Sequence, residues 1–155
     1  MSSELRDLYE KNGLLRFYFD KHVPKDLFRG RSRDDLRKER PIFYPHEGFT
    51  RKDGSKRLPD VEIIERNGKK FVRGCRCIRG DYRGISVFVR INEKLIGYKW
   101  FVVKKGAIIP EALAITQDGD RNDINHYTIA PKDEMPLELF AVWLRQLAEQ
   151  ATTKS

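Results

Sequence analysis

The chain has 155 residues, enough for one globular domain, and its 39% hydrophobic content with seven prolines excludes collagen, a long coiled coil and wholesale disorder. No apolar run approaches the roughly 18–20 residues that a membrane span requires. The N-terminus also lacks the basic and apolar regions of a secretory signal peptide. We therefore expect a cytoplasmic product, or one exported by a route that needs no signal peptide.

The positive charge is concentrated in the first 110 residues. They hold 27 Lys and Arg against 15 Asp and Glu, whereas residues 111–155 hold 4 against 8, so the net charge of +8 divides into +12 and −4. The densest window, residues 66–83, carries seven basic residues and one acidic residue. Such a stretch attracts polyanions (nucleic acid, a dinucleotide or an acidic protein), although a solvated basic surface without a partner has the same composition.

The two cysteines, Cys75 and Cys77, share one face of any extended segment because they are two positions apart. Two thiols do not complete a tetrahedral zinc site, and the three histidines, His22, His46 and His126, show no ligand spacing. We expect reduced thiols and no metal.

In the N-terminal part, Ser2 or Ser3 is placed to cap a helix, so residues 1–24 are predicted to form a helical N-terminal segment. Within it, residues 14–19 fit either a last helical turn or a strand. A short strand that ends in glycine is predicted at residues 26–30.

A polar stretch with several prolines and glycines follows at residues 31–59, where we expect a long surface connection with a helical turn at residues 33–39. Loops of this length in a compact domain are usually functional.

The middle of the chain is predicted to be β, with an Asn67-Gly68 hairpin turn. Its predicted strands are residues 61–64, 70–72, 85–91, 98–103, 108–115 and 126–129. The chain ends in an amphipathic helix after Pro136, in which Leu137, Phe140 and Leu147 recur at helical spacing. We predict one α+β domain over residues 1–155, with a mostly antiparallel sheet.

Three polar residues stand where a ligand would meet these strands. The guanidinium of Arg29 would form two hydrogen bonds to a phosphate, and Gly30 at the next position would let the ligand approach the backbone. Ser86 places one hydroxyl inside an apolar strand, and His126 shares a strand face with Thr128. Each of the three also fits an ordinary structural residue, hydrogen-bonded within the fold.

Established catalytic templates are missing from the sequence. The Gly-x-Ser-x-Gly elbow of hydrolases is not present around Ser86. Nor does the chain contain a dinucleotide-binding Gly-x-Gly-x-x-Gly, a phosphate loop, a His-Glu-x-x-His zinc motif or a helix-turn-helix.

Taken in order, the weak signals form one pattern that resembles the Tse2-type toxins, small type VI secretion effectors whose fold is similar to that of ADP-ribosyltransferases. The resemblance covers about residues 25–150, and its most specific parts are Gly84–Phe88 and His126–Pro131. The remaining segments of the pattern are Leu27–Gly30, Arg57–Val61, Ile115–Asp118 and Met135-Pro136.

The resemblance implies a split sheet with N- and C-terminal helices and a cleft that binds NAD, used as a substrate, without metal. By position, Arg29 would hold the pyrophosphate or ribose, Ser86 would order the cleft, and His126 and Gln117 would be polar groups of the late strands. The implied catalytic set is Arg29, Ser86, His126 and Gln117, and the implied NAD-binding set is Arg29, Gly30, Arg57, Ile85, Ser86 and Phe88.

The acidic group that such transferases usually carry has no clear counterpart. No Glu-x-Glu or Gln-x-Glu lies between residues 105 and 130, and Asp118 is the nearest substitute. A carboxylate that stabilises a ribosyl cation needs only charge and geometry.

Two functions remain open at this stage. The resemblance implies a toxin that transfers ADP-ribose from NAD to an unknown target, or otherwise depletes NAD. It also implies delivery into target cells and a cognate immunity protein. The alternative is a basic nucleic-acid-binding or nuclease-like domain without NAD chemistry, which would use residues 66–83 with the aromatic residues Phe71 and Tyr82.

Overall fold

A seven-stranded antiparallel sheet forms the centre of the molecule. The computed structural model describes residues 3–7, 9, 10, 15–74, 84–118 and 124–154. The helices of these residues are α1 (Glu4–Asp7), α2 (Arg33–Arg37) and α3 (Leu137–Ala148). Their strands are β1 (Leu15–Phe19), β2 (Leu27–Arg31), β3 (Phe49–Thr50), β4 (Lys56–Arg57), β5 (Glu62–Arg66), β6 (Lys69–Arg73), β7 (Ile85–Phe88), β8 (Lys99–Val103), β9 (Leu113–Asp118), β10 (His126–Pro131), β11 (Met135–Pro136) and β12 (Ala151–Thr153).

The order of strands in the large sheet is β1-β9-β10-β7-β2-β8-β12. A three-stranded sheet, β11-β6-β5, and the β3-β4 ribbon stand beside it. The described part of the chain therefore forms a mostly antiparallel α+β fold, which confirms the predicted fold class.

The main core lies on one face of the large sheet. Strand alternation sends Ile85 and Val87 of β7, with Tyr127 and Ile129 of β10, to this face, and each is at most 3% exposed. The helix α3 covers them with the buried side chains of Phe140, Leu144 and Leu147, while Val61 and Val72 close the core beside the small sheet.

The opposite face of β7, β9 and β10 is polar in its centre. Ser86 and His126 lie on it, together with Thr116 and Thr128, which are both at most 5% exposed. A small apolar cluster of Leu5, Leu15, Ala114 and Ala130 covers one end of this face. The polar side chains are consequently held between strands rather than in the main core.

The large sheet opens between β2 and β7. These strands are in register at a single position, Phe28 opposite Phe88, whereas β2 and β8 pair along five positions. The pairing of β2 with β7 does not extend from Phe28 to Gly30 and Ser86. The sheet is therefore split at this point, as the resemblance implied.

Local patterns in the sequence predicted several strands and helices correctly. The strand predicted at residues 26–30 is β2, the turn at residues 33–39 contains α2, and the terminal helix is α3. The hairpin of β5 and β6 turns through Asn67 and Gly68 with φ of 52° and 76°, as a type I′ turn requires.

The N-terminal segment is only partly helical, which corrects the prediction of a helical segment over residues 1–24. Ser3 caps α1 by accepting a hydrogen bond from the Arg6 amide at 3.1 Å, but α1 is four residues long. Residues 15–19 form β1, because they pair with β9 at the border of the sheet. No helix of the described residues is long and apolar enough to cross a membrane.

We expect Phe140→Ala to lower the free energy of unfolding by about 3–5 kcal/mol, because the ring is fully buried and its removal leaves a cavity under the sheet. Leu139→Ala is the matched control on the same helix. Its side chain is 42% exposed, so the change should stay near 0.5 kcal/mol. Chemical denaturation measures both, and equal losses would contradict the core assignment.

Candidate active site at the split of the sheet

A cavity of about 320 Å³ lies where β2 and β7 separate. One wall is polar and carries three arginines, and the other is largely apolar and aromatic. The polar wall consists of Arg29, Ser32, Asp35, Arg40, Tyr44, His46 and Arg57. The second wall consists of Gly30, Phe88, Leu95, Tyr98 and Trp100. We call this cavity the cleft.

Arg29 spans the gap between the two separated strands. Its Nη1 donates to the backbone carbonyl of Ser86 at 2.9 Å, and its Nε donates to the carbonyl of Ile42 at 3.3 Å. Burial lowers the pKa of Arg29, and the nearby Asp60, Tyr44 and Asp35 oppose that effect. The guanidinium is thus held in place by backbone oxygens at one side of the cleft.

Ser86 meets Arg29 and His126 through different atoms. The Ser86 hydroxyl lies 2.8 Å from His126 Nε2, on the polar face of the sheet, whereas Arg29 contacts the Ser86 carbonyl. The register of β2 and β7 directs the Arg29 side chain and the Ser86 hydroxyl to opposite faces. Arg29 and His126 therefore both contact Ser86, but the three side chains do not line one wall of the cleft.

His126 lies on β10 opposite Phe88, the residue of β7 that pairs with β2. It is 5% exposed, and its ring lies 5.2 Å from the ring of Phe88 at 56°. Phe88 pairs with His126 across the two strands and also borders the cleft. A histidine in this position can exchange a proton or a hydrogen bond with the Ser86 hydroxyl.

Asp35 is the carboxylate of the polar wall. Its Oδ1 accepts hydrogen bonds from the Tyr44 hydroxyl at 2.8 Å and from Arg40 Nη1 at 2.9 Å. Its Oδ2 accepts from the Ser32 amide, which completes a capping box at the start of α2. Burial raises the pKa of Asp35, but these hydrogen bonds outweigh it and lower the pKa to about 2.

His46 is fixed in one tautomer by the loop that follows it. Its Nδ1 accepts a hydrogen bond from the Gly48 amide at 2.9 Å, so the proton of the neutral ring lies on Nε2. The Oδ2 atom of Asp60 accepts a hydrogen bond from the His46 backbone amide at 2.8 Å. Burial, with Arg57 nearby, lowers the pKa of His46. The cleft therefore contains a histidine that favours the neutral state.

Gly30 is required by close packing, which differs from the reason that the sequence suggested. A Cβ atom at this position would lie 2.9 Å from Tyr98 Cδ2 and 3.0 Å from Trp100 Cη2. Two aromatic rings already occupy the space that glycine leaves, beside Arg29. The glycine thus admits the rings of the cleft wall rather than directly admitting a ligand.

Four of the expected site residues do not line the cleft: Ser86 and His126, which meet on the polar face of the sheet, and Ile85 and Gln117. Ile85 is fully buried in the main core, because alternation along β7 directs it away from Ser86. Gln117 is 3% exposed, and its amide nitrogen donates to the carbonyls of Ile124 at 3.0 Å and His126 at 3.4 Å. Gln117 therefore ties the end of β9 to the start of β10, a structural position. Asp118 is the last residue of β9.

The basic stretch of residues 66–83 is described only as far as residue 74. Within that part, carboxylates from distant segments pair with it: Glu134 with Arg66, Glu47 with Lys70, and Glu4 with Arg73. Arg66 and Lys69 also lie over the ring of Phe71. Much of the apparent positive charge is therefore compensated in the fold. Cys75, Cys77 and Tyr82 lie outside the described residues.

Residues that sequence analysis did not single out form much of the cleft. They are Asp35, Arg40, Tyr44, His46, Tyr98 and Trp100. The length of the connection at residues 31–59 was the available signal for four of them, but nothing in the sequence indicated which side chains face the strands. Among the described residues, no group of three or more His, Cys, Asp or Glu side chains is placed to hold a metal ion.

The mostly antiparallel sheets with a few helices are consistent with an ADP-ribosyltransferase-like α+β fold. The family model described as Tse2 ADP-ribosyltransferase toxin matches residues 6–155. The chain therefore belongs to this family of transferase toxins, and the match includes β1, which the resemblance over residues 25–150 did not cover. No curated protein matches the chain.

We expect Asp35→Asn to lower the free energy of unfolding by about 2 kcal/mol at neutral pH, since the carboxylate titrates near 3.8 when unfolded and at about 2 when folded. This contribution is fully present above the unfolded pKa and disappears as the pH falls through the folded pKa. The difference between wild type and variant should therefore shrink between about pH 4 and pH 2.

Asp34→Asn is the matched control for this experiment. Asp34 lies on the same helix, but its ion pairs with Arg37 and Lys38 are exposed to solvent, so its effect should be smaller and sensitive to salt. Denaturation at several pH values measures both variants. A difference for Asp35→Asn that does not depend on pH would contradict the low pKa.

Proposed function

We propose that the chain binds NAD at the split of the sheet and transfers its ADP-ribose to an acceptor. The observation that carries this proposal is the guanidinium of Arg29, which borders the cleft and is hydrogen-bonded to the backbone carbonyl of Ser86, the residue whose hydroxyl meets His126 on the other face of the sheet. Arg40 and Arg57 stand on the same wall, but aspartates already pair with both of them. Arg29, whose hydrogen bonds go to neutral carbonyl oxygens, is therefore the arginine of this wall that best suits a pyrophosphate. The aromatic wall opposite suits a flat ring.

In the transfer, the bond between the ribose and the nicotinamide nitrogen breaks, and nicotinamide leaves with the bonding electrons. The acceptor forms the new bond to the ribose carbon and loses its proton. His126 would hold a ribose hydroxyl or the nicotinamide amide, and the Ser86 hydroxyl would fix the His126 ring. Asp118 is the carboxylate nearest in the sequence to the position where such transferases usually carry an acidic group, and such a carboxylate would stabilise the ribosyl cation.

We also propose that the chain acts as an effector of a type VI secretion system and that a cognate immunity protein protects the producing cell. The charge of +12 over residues 1–110 supports an acidic contact surface on that protein, because opposite charge speeds association. Binding over the cleft near Arg29 would block the substrate. The alternative of nucleic-acid binding through residues 66–83 has less support, because carboxylates pair with three of its four described basic residues.

The direct test incubates the purified chain with NAD labelled in its adenylate half and a cell lysate, and measures released nicotinamide. Label that moves into protein or nucleic acid shows transfer and its acceptor class, whereas label that stays in free ADP-ribose shows hydrolysis. Unchanged NAD under all conditions would overturn the proposed function.

Arg29→Lys should reduce nicotinamide release by about 100-fold or more, because an ammonium cannot reproduce the planar fork between two carbonyls and a phosphate. It retains a positive charge, so it is a better test than Arg29→Ala, which leaves two carbonyls unpaired. Arg37→Lys, at an exposed arginine of α2, is the control and should leave release unchanged. Full activity of Arg29→Lys would refute the phosphate role.

His126→Asn should remove activity by about 100-fold or more while the melting temperature changes by only a few degrees. The comparison uses His22→Asn, at an exposed histidine outside the cleft, which should affect neither quantity. Nicotinamide release and thermal unfolding are measured on the same preparations. Lost stability with intact activity would make His126 a structural residue.

A further inference from the structure

Two stacked aromatic side chains form the end of the cleft away from His126. The rings of Tyr98 and Trp100 lie 6.1 Å apart with an interplanar angle of 29°. Both border the cleft, and Tyr98 is 37% exposed. Both also rest on Gly30, where any larger residue would push them away. The fold thus keeps an aromatic surface directly beside the strand that carries Arg29.

The strand order fixes how far this surface lies from the catalytic residues. Trp100 is on β8, opposite Gly30 on β2, and His126 is on β10. The order β10-β7-β2-β8 puts three strand spacings between Trp100 and His126, about 14 Å in a closed sheet, and the split between β2 and β7 lengthens that distance. Arg29 lies on one of the strands between them. In the strand order, Arg29 therefore lies between His126, at the reacting end, and Trp100, at the aromatic end.

The order of these groups matches the order of groups in a dinucleotide, which carries a flat base at each end of a pyrophosphate. In the proposed function, which this inference assumes, nicotinamide lies near His126 and the phosphates lie near the arginines. The base at the aromatic end is then adenine. We infer that Trp100, supported by Tyr98, is the adenine-stacking residue of the cleft.

A purely structural role for the two rings gives a different expectation. If they only cover Gly30, their replacement would lower stability and leave nucleotide affinity unchanged in the folded protein. Stacking on a base contributes about 1–3 kcal/mol in other proteins, which corresponds to about a 5- to 150-fold change in affinity. Affinity and stability measured on the same variants therefore separate the two roles.

The sequence offers a specific probe, because Trp100 and Trp143 are its two tryptophans. Trp143 is on α3 and packs against the main core, so Trp143→Phe leaves Trp100 as the single fluorophore. This variant should keep the NAD affinity of the wild type. NAD and AMP should quench its fluorescence in a saturable way, and nicotinamide mononucleotide should not.

Calorimetric titration with NAD and AMP then compares variants at the aromatic wall. Trp100→Ala should weaken both ligands about tenfold or more, and Trp100→Phe should restore most of the affinity because it keeps a flat ring. Gly30→Ala should weaken both ligands as well, since the added methyl group displaces the rings without changing any charge. Circular dichroism confirms that each variant is folded.

The outcomes separate this inference from the proposed function. Unchanged NAD affinity in folded Trp100→Ala would overturn the adenine subsite and leave NAD binding intact. Quenching by nicotinamide mononucleotide but not by AMP would also overturn it, because the ring on Trp100 would then be nicotinamide. Absence of NAD binding to the wild type would overturn both.

Discussion

The large sheet is open between β2 and β7, and the guanidinium of Arg29 fills the opening. Through its hydrogen bonds to the carbonyls of Ser86 and Ile42, Arg29 connects β2 to β7 and to the long connection that forms the polar wall. Within the part of the chain that the structure describes, both hydrogen bonds of Arg29 go to neutral oxygens. Its positive charge is consequently held in place without being neutralised by a bonded carboxylate.

The surroundings of Arg29 follow from that placement. The neighbouring Gly30 accepts the rings of Tyr98 and Trp100, and the Ser86 segment presents its hydroxyl to His126 on the far side of the strand. Asp35 holds Arg40 and Tyr44 on the facing loop. Arg29, the aromatic wall of the cleft and the Ser86 segment therefore all adjoin one short segment of β2.

Local signals in the sequence predicted much of the fold, because turns and periodicity act over a few residues. The Asn67-Gly68 turn and the apolar spacing of α3 are examples. Residues 15–19 stayed ambiguous, because a short apolar run has no diagnostic period, and only pairing with the distant β9 makes it a strand. The short strands β11 and β12 likewise exist through pairing with β6 and β8.

The candidate site was predictable in part. The order of Arg29, Ser86 and His126 along the chain indicated the three strands, but the register decides which side chains reach the cleft. Ile85 and Gln117 lie on the core face for that reason. The carboxylates that compensate residues 66–73 come from positions 4, 47 and 134, a pairing that no local pattern reveals.

The strand order also determines when the site comes into existence during synthesis. Arg29 and Ser86 are 57 positions apart, and Ser86 and His126 a further 40. β7 lies between β2 and β10 in the sheet, and the closing contacts of β8 come from β12 near the C-terminus. A ribosome that has translated the first hundred codons therefore carries a chain without His126. The contact between His126 and Ser86 therefore forms only after β10 has been synthesised, when β2 and β7 are already present in the chain.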